Sequence, residues 1–184
     1  MKNKKSNESV PEILYIAYGS NLNLSQMKQR CPTARVIGVS EIKDHEIVFR
    51  GSRYSAVATI EPWKGSNVPV LLWGIQPEDE KSLDRYEGYP NFYEKENMEI
   101  VLNGSTVSAM VYVMTPGHEL GIPSKRYKTS IEEGYMDAGF DTDILENAVD
   151  KTIGKMEDVM KDKDEQESLF GINGGDNKWQ TLQP

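Results

Sequence analysis

A chain of 184 residues with 38% hydrophobic side chains is sized for one domain with a real core, not for two. Its formal charge of −8 argues against sequence-independent nucleic-acid binding, which needs Lys and Arg to neutralise phosphates, and against an anionic membrane surface. Its single cysteine, Cys31, cannot close an intrachain disulfide, so the fold must hold by packing, and a cytoplasmic, reducing location is expected.

Residues 1–11 are basic and polar, end at Pro11 and read as a disordered leader. No apolar core of signal-peptide length follows them, and the apolar runs near 13–18 and 68–75 are too short to span a bilayer. Residues 13–18 read as a buried strand that stops abruptly at Gly19-Ser20-Asn21. Glycine there suits a tight turn, and Asn21 or Asn23 can cap the helix expected over 22–30, which Cys31-Pro32 ends. Backbone N–H groups around such a turn form a ready site for an anion or a carboxylate.

Strands follow over 35–40, 44–50, 55–61 and 69–75, the last two separated by a loop over 62–67 that contains Pro62 and Gly65. The next helix carries its own boundaries. Pro77 stands in its first turn, Glu78, Asp79 and Glu80 meet the positive end of its dipole, and Gly88 suits the left-handed position after residue 87. Residues 93–102 and 106–114 pair as a hairpin across Asn103-Gly104. Helical patterns over 124–138 and from 141 to about 161 lead into a charged, then Gly-rich tail, expected to be mobile. Seven short strands with interspersed helices predict an α+β domain on an antiparallel or mixed sheet able to curl into a barrel. A doubly wound sheet is disfavoured because strands outnumber crossover helices.

Most standard catalytic arrangements are missing. The two histidines, His45 and His118, have no neighbours at metal-ligand spacing, and no Gly-x-Ser-x-Gly elbow, P-loop or Gly-x-Gly-x-x-Gly occurs. Cys31 reads as a buried or incidental thiol. Glu87 stands apart. It shares the apolar stripe of its helix with Leu83 and Tyr86, which turns a carboxylate toward the core, and it lies in the last turn, where the helix dipole disfavours an anion. Both effects raise its pKa toward that of an acid/base working at neutral pH.

With Tyr18-Gly19-Ser20-Asn21-Leu22 after a strand and Leu83-Asp84-Arg85-Tyr86-Glu87-Gly88 on a later helix, the chain resembles the γ-glutamylcyclotransferase, AIG2-like family. Ala56-Val57-Ala58-Thr59-Ile60 before Glu61-Pro62, the strand Val70-Leu71-Leu72-Trp73-Gly74-Ile75, and Pro123-Ser124-Lys125-Arg126-Tyr127 support the resemblance, which covers roughly residues 13–150. It implies an α+β fold: a small mixed, mainly antiparallel β-barrel with flanking helices. The domain would span 12–150, with a helical extension and polar tail over 151–184. It also implies cyclisation of a γ-glutamyl amide to 5-oxoproline with release of an amine or amino acid, without cofactor or metal. In that family, the residues matching Tyr15, Ile16, Ala17, Tyr18, Gly19, Ser20 and Asn21 bind the γ-glutamyl group, the glutamate matching Glu87 is the acid/base, and the tyrosine matching Tyr127 binds substrate. The partner would be a small γ-glutamyl molecule, with no nucleic acid or membrane involved; the leaving amine and the oligomeric state stay open. The alternative on the same fold is a non-catalytic module that binds a small molecule or a protein.

Overall fold

The structure, a computed structural model, describes residues 12–169. The leader over 1–11 and the tail beyond 169 lie outside the described residues. Among the described residues, five strands form one sheet in the order β2-β3-β1-β5-β4, and four α-helices flank it. The strands are β1 (Ile13–Ala17), β2 (Arg35–Arg50), β3 (Val57–Ile75), β4 (Tyr93–Leu102) and β5 (Ser105–Met114). The helices are α1 (Leu24–Arg30), α2 (Pro77–Glu87), α3 (Lys125–Ala138) and α4 (Asp143–Leu169).

The short strand β1 occupies the centre of the sheet. It runs antiparallel to β3, with Tyr15 opposite Trp73, and parallel to β5, with Ile16 opposite Val111; every other pairing is antiparallel. Tyr15, Ile16 and Ala17 are all buried, as a strand flanked on both sides requires. The core is continuous from this strand through Leu71, Leu72 and Ile75 of β3 to Leu83 of α2, Ile131 and Tyr135 of α3, and Leu145 of α4.

Seven expected strands have become five because four of them merge in pairs. Residues 35–40 and 44–50 are one strand, β2, and residues 57–75 are one strand, β3, paired with β2 along most of their length. The expected loop over 62–67 survives as an irregularity within the ladder. Lys43 pairs with Asn67 and His45 with Pro62, so that residues 63–66 stand opposite Asp44 alone. Asp44 adopts a φ of 55°, and its carboxylate accepts a bond from the Gly65 amide at 2.8 Å. A bulge of this kind bends a strand without ending it.

The sheet is also not the closed barrel that was expected. It curls until its two edges touch: the Ser40 hydroxyl donates to the Val101 carbonyl at 2.7 Å, and Leu102 lies against Gly38. This contact is made through side chains, and among the described residues no ladder joins β2 to β4. The helices hold closer to expectation. Asn23 caps α1 by accepting from the Gln26 amide at 3.0 Å, after a separate 3-10 turn over Ser20–Leu22. Gly88, at a φ of 68°, ends α2. The Asn103-Gly104 turn has φ values of 50° and 80°, as a tight hairpin with two left-handed residues demands. Helix α4 runs past residue 161 to Leu169, and residues 161–166 are exposed throughout. No helix among the described residues is long and apolar enough to cross a membrane.

Two contacts fix the segment that leaves β1. Trp73 donates its indole N–H to the Asn21 carbonyl at 3.1 Å. On the other side, α3 packs on the 3-10 turn at Gly134, where an added Cβ would lie 2.6 Å from Leu22 Cβ and 2.7 Å from the Asn23 amide nitrogen. Neither neighbour is a flexible side-chain tip. Gly134→Ala is therefore expected to destabilise the protein by about 1–3 kcal/mol and to lower activity by displacing the turn. Chemical denaturation followed by an activity assay checks this; an unchanged midpoint would show that α3 can shift at no cost.

Candidate active site

The C-terminal end of β1, the C-terminal end of α2 and the start of α3 converge on a cavity of about 220 Å³. From β1 and the turn after it come Tyr15, Tyr18, Gly19, Ser20 and Asn21; from α2 come Tyr86 and Glu87; from α3 comes Tyr127. Ile16 and Ala17, by contrast, are buried in the core and do not line it. Because strand side chains alternate, Tyr15 reaches the cavity from the face that Ile16 turns away from.

Asn21 is the hub. Its Nδ2 donates to Glu87 Oε1 at 2.8 Å and to the Tyr15 hydroxyl at 2.7 Å, while its Oδ1 accepts from Arg30 Nη1 at 2.5 Å. Both amide hydrogens and the amide oxygen are thereby engaged, which holds the group in one orientation. Arg30 stacks over the Tyr86 ring at 3.7 Å from its centroid and donates to the Tyr86 hydroxyl and to Gln26. The Tyr86 hydroxyl also bonds Ser20 Oγ at 3.0 Å, which ties the end of α2 to the turn after β1.

Tyr86 was expected to face the core beside Leu83. It does not: Leu83 is fully buried, whereas Tyr86 is 46% exposed and forms part of the cavity's rim. Only Leu83 anchors this end of α2 in the core. Glu87, one turn after Leu83 and on the other side of it from Tyr86, is partly buried and points its carboxyl group at Asn21. Burial raises that carboxyl to a pKa of about 7, against the opposing effects of the Asn21 hydrogen bond and the Arg30 charge.

Gly19 has a φ of −113°, outside the left-handed region, so turn sterics do not select glycine here as expected. A Cβ there would meet the Tyr127 hydroxyl at 3.4 Å and Ala58 Cβ at 3.6 Å, ordinary contacts with two residues that line the cavity. Tyr127 Oη accepts from the Ala58 amide at 3.2 Å, and Tyr93 donates to the Ala58 carbonyl at 2.6 Å, which fixes the backbone of β3 at the cavity wall.

Tyr93 of β4, Tyr112 of β5, and Phe92 were not singled out in the sequence, yet all three line the cavity. The hint was aromatic residues at the start of one hairpin strand and near the end of the other, and their meaning depends on a register fixed only by the fold. Tyr112 donates to Asp84 at 2.6 Å, one turn before Glu87, and Tyr18 donates to the Tyr112 carbonyl at 2.6 Å. Burial pushes the phenols of Tyr15, Tyr18, Tyr93, Tyr112 and Tyr127 upward, so they stay protonated. The Cys31 thiol lies elsewhere, buried against the Asp79 carbonyl and pushed up to about 12, which keeps it unreactive. Among the described residues, no group of three or more His, Cys, Asp or Glu gathers in a way that could hold a metal ion.

A mixed five-stranded sheet flanked by helices, with one carboxyl group near neutrality in a tyrosine-lined cavity, defines a small α+β protein with the parts for acid/base chemistry. The family model described as gamma-glutamyl cyclotransferase, AIG2-like matches residues 15–134, and the chain belongs to that family. Human gamma-glutamylcyclotransferase is 29% identical over 147 residues, covering 72% of this chain and 75% of the human one. The mouse gamma-glutamylcyclotransferase is 28% identical over 179 residues, covering 90% of each chain. A solved structure titled gamma-glutamyl cyclotransferase superposes with a TM-score of 0.68 at 26% identity, over 75% of this chain and 86% of the other.

Proposed function

We propose that this protein cyclises γ-glutamyl amides to 5-oxoproline and releases an amine or amino acid, with Glu87 as the general acid/base. The observation that carries the proposal is the Glu87 carboxyl group, held near pH 7 by burial and aimed by Asn21 at the wall of the cavity.

The reaction asks for little else. The substrate's own neutral α-amine attacks its γ-carbonyl carbon, so the nucleophile comes with the substrate, and folding the substrate correctly gives it a high effective molarity. A C–N bond forms and the carbonyl oxygen takes up negative charge. Glu87, as carboxylate, accepts the proton lost by the attacking amine and passes it to the amide nitrogen. The original amide C–N bond then breaks, the carbonyl re-forms, and the amine departs, leaving Glu87 as it began. Proton transfer of this kind contributes about 10² to 10⁴ in rate.

In this reading Tyr15, Tyr18, Gly19, Ser20, Asn21 and Tyr127 cradle the γ-glutamyl group. The leading N–H groups of a 3-10 turn have no partners within the turn, and those at Ser20 and Asn21 can receive the substrate carboxylate or the developing oxyanion. Ile16 and Ala17 serve the site only as the core of the strand that carries the turn. The catalytic unit would be residues 12–150, with α4 beyond 150 as an extension.

The test is incubation of the purified protein with a panel of γ-glutamyl dipeptides and γ-glutamyl amines, followed by assay of 5-oxoproline. Formation of 5-oxoproline in equal amount to the released amine is the expected result. Absence of product from every member of the panel would overturn the reading and leave a binding module.

A further inference from the structure

A second cavity, of about 520 Å³, adjoins the first, and Tyr86 and Tyr127 line both. Its charge is opposite to that of the molecule. The chain carries 29 carboxylates against 21 Lys and Arg, yet no carboxylate lines this cavity, whereas Arg30 and Arg126 do, among glutamine and serine side chains. Among the described residues, neither arginine takes part in an ion pair. Arg30 gives its hydrogen bonds to the neutral acceptors Asn21, Gln26 and Tyr86 and not to a carboxylate, although its charge also reaches Glu87 across the seam. Arg126 is exposed in the first turn of α3, next to Tyr127, where the helix dipole adds positive potential.

The two cavities share a seam of tyrosines, and the proposed acid/base stands on the first cavity's side of it. The second cavity lies on the other side of that seam, walled by the same Tyr86 and Tyr127. We propose that this cavity receives the leaving group, and that Arg126, supported by the charge of Arg30, selects substrates whose leaving group carries a carboxylate, as an amino acid or peptide does, over those that leave as a neutral or cationic amine. The proposal rests on the cyclotransferase reading above. A guanidinium matches a carboxylate in charge and in bidentate geometry, and a cationic leaving group would meet two like charges there.

Comparison of γ-glutamylalanine with γ-glutamylalaninamide tests it, because the two differ only in the carboxylate. The wild-type protein is expected to favour the acid in kcat/KM by about tenfold or more, chiefly through KM. In Arg126→Met, which keeps the length of the aliphatic stem, the acid-to-amide ratio is expected to fall by about tenfold. Equal turnover of the two substrates by the wild type, or an unchanged ratio in the variant, would overturn the proposal while leaving the cyclotransferase reading intact. Absence of 5-oxoproline from both would remove that reading and the proposal together.

Discussion

Glu87→Gln is expected to lower turnover by at least about 100-fold while making the protein more stable above pH 7. The two effects have one cause. Glutamine keeps the size of the side chain and an oxygen for the Asn21 amide to bond, so the cavity should persist, but an amide cannot carry the proton between the two nitrogens of the reaction. Stability follows by linkage. In the folded protein, burial raises the carboxyl group from 4.5 to about 7. Between those values the folded state therefore holds a proton that the unfolded state has released. Stability associated with this group is full below about pH 4.5 and is lost as the pH rises through about 7. At about 1.36 kcal/mol per pH unit the loss is at most about 3 kcal/mol, and screening of a partly exposed group reduces it to about 1–2 kcal/mol. Glutamine never ionises, so the variant escapes that loss. Denaturation midpoints at pH 8 should place the variant above the wild type, and the difference should shrink at pH 4. A difference that does not change with pH would mean that Glu87 is not held protonated by burial. Turnover near the wild-type level would move the proton carrier to another residue.

Much of the frame was legible because its signals are local. Helix α2 starts and stops where Pro77, the acidic run Glu78-Asp79-Glu80 and Gly88 place it, and the β4–β5 hairpin turns at Asn103-Gly104, because each of these residues acts through its own backbone. The merging of strands was not legible. Pro62 and Gly65 have the chemistry of a loop, and only pairing with the distant Asp44 turns that loop into a bulge within one ladder. Closure of the sheet depends on how far two edge strands curl, which no local pattern records. At the site, Glu87 stood out because a carboxylate on an apolar stripe contradicts the pattern around it. Tyr86, one residue earlier, misled for the complementary reason. A tyrosine reads as core on such a stripe, but its hydroxyl finds Ser20 and Arg30 at the rim. Tyr93 and Tyr112 were illegible as site residues, since what brings them to Glu87 is strand order, with β5 beside β1.

Asn21→Ala should shift the pH dependence of the reaction as well as weaken it. The Nδ2 hydrogen bond to Glu87 favours the charged carboxylate, and so does the Arg30 charge, which the Asn21 oxygen holds in place. Without Asn21 the burial effect stands less opposed, and the carboxyl pKa rises above about 7. Glu87 must be ionised to accept the proton of the attacking amine, so the acid limb of kcat/KM, near pH 7 in the wild type, should move to higher pH. The substrate's ammonium group titrates as well, but it is common to both proteins, and the displacement between the two profiles isolates Glu87. At pH 7 the variant should be at least about tenfold slower, with part of the deficit recovered by pH 9. It should also lose about 1–3 kcal/mol of stability, because the buried Tyr15 hydroxyl loses its bond from Asn21. A profile lowered equally at every pH, with its acid limb unmoved, would reduce Asn21 to a contact for the substrate. A limb displaced upward would make Asn21 the residue that sets the working pH of Glu87, and would join the turn after β1 to the proton chemistry at the end of α2.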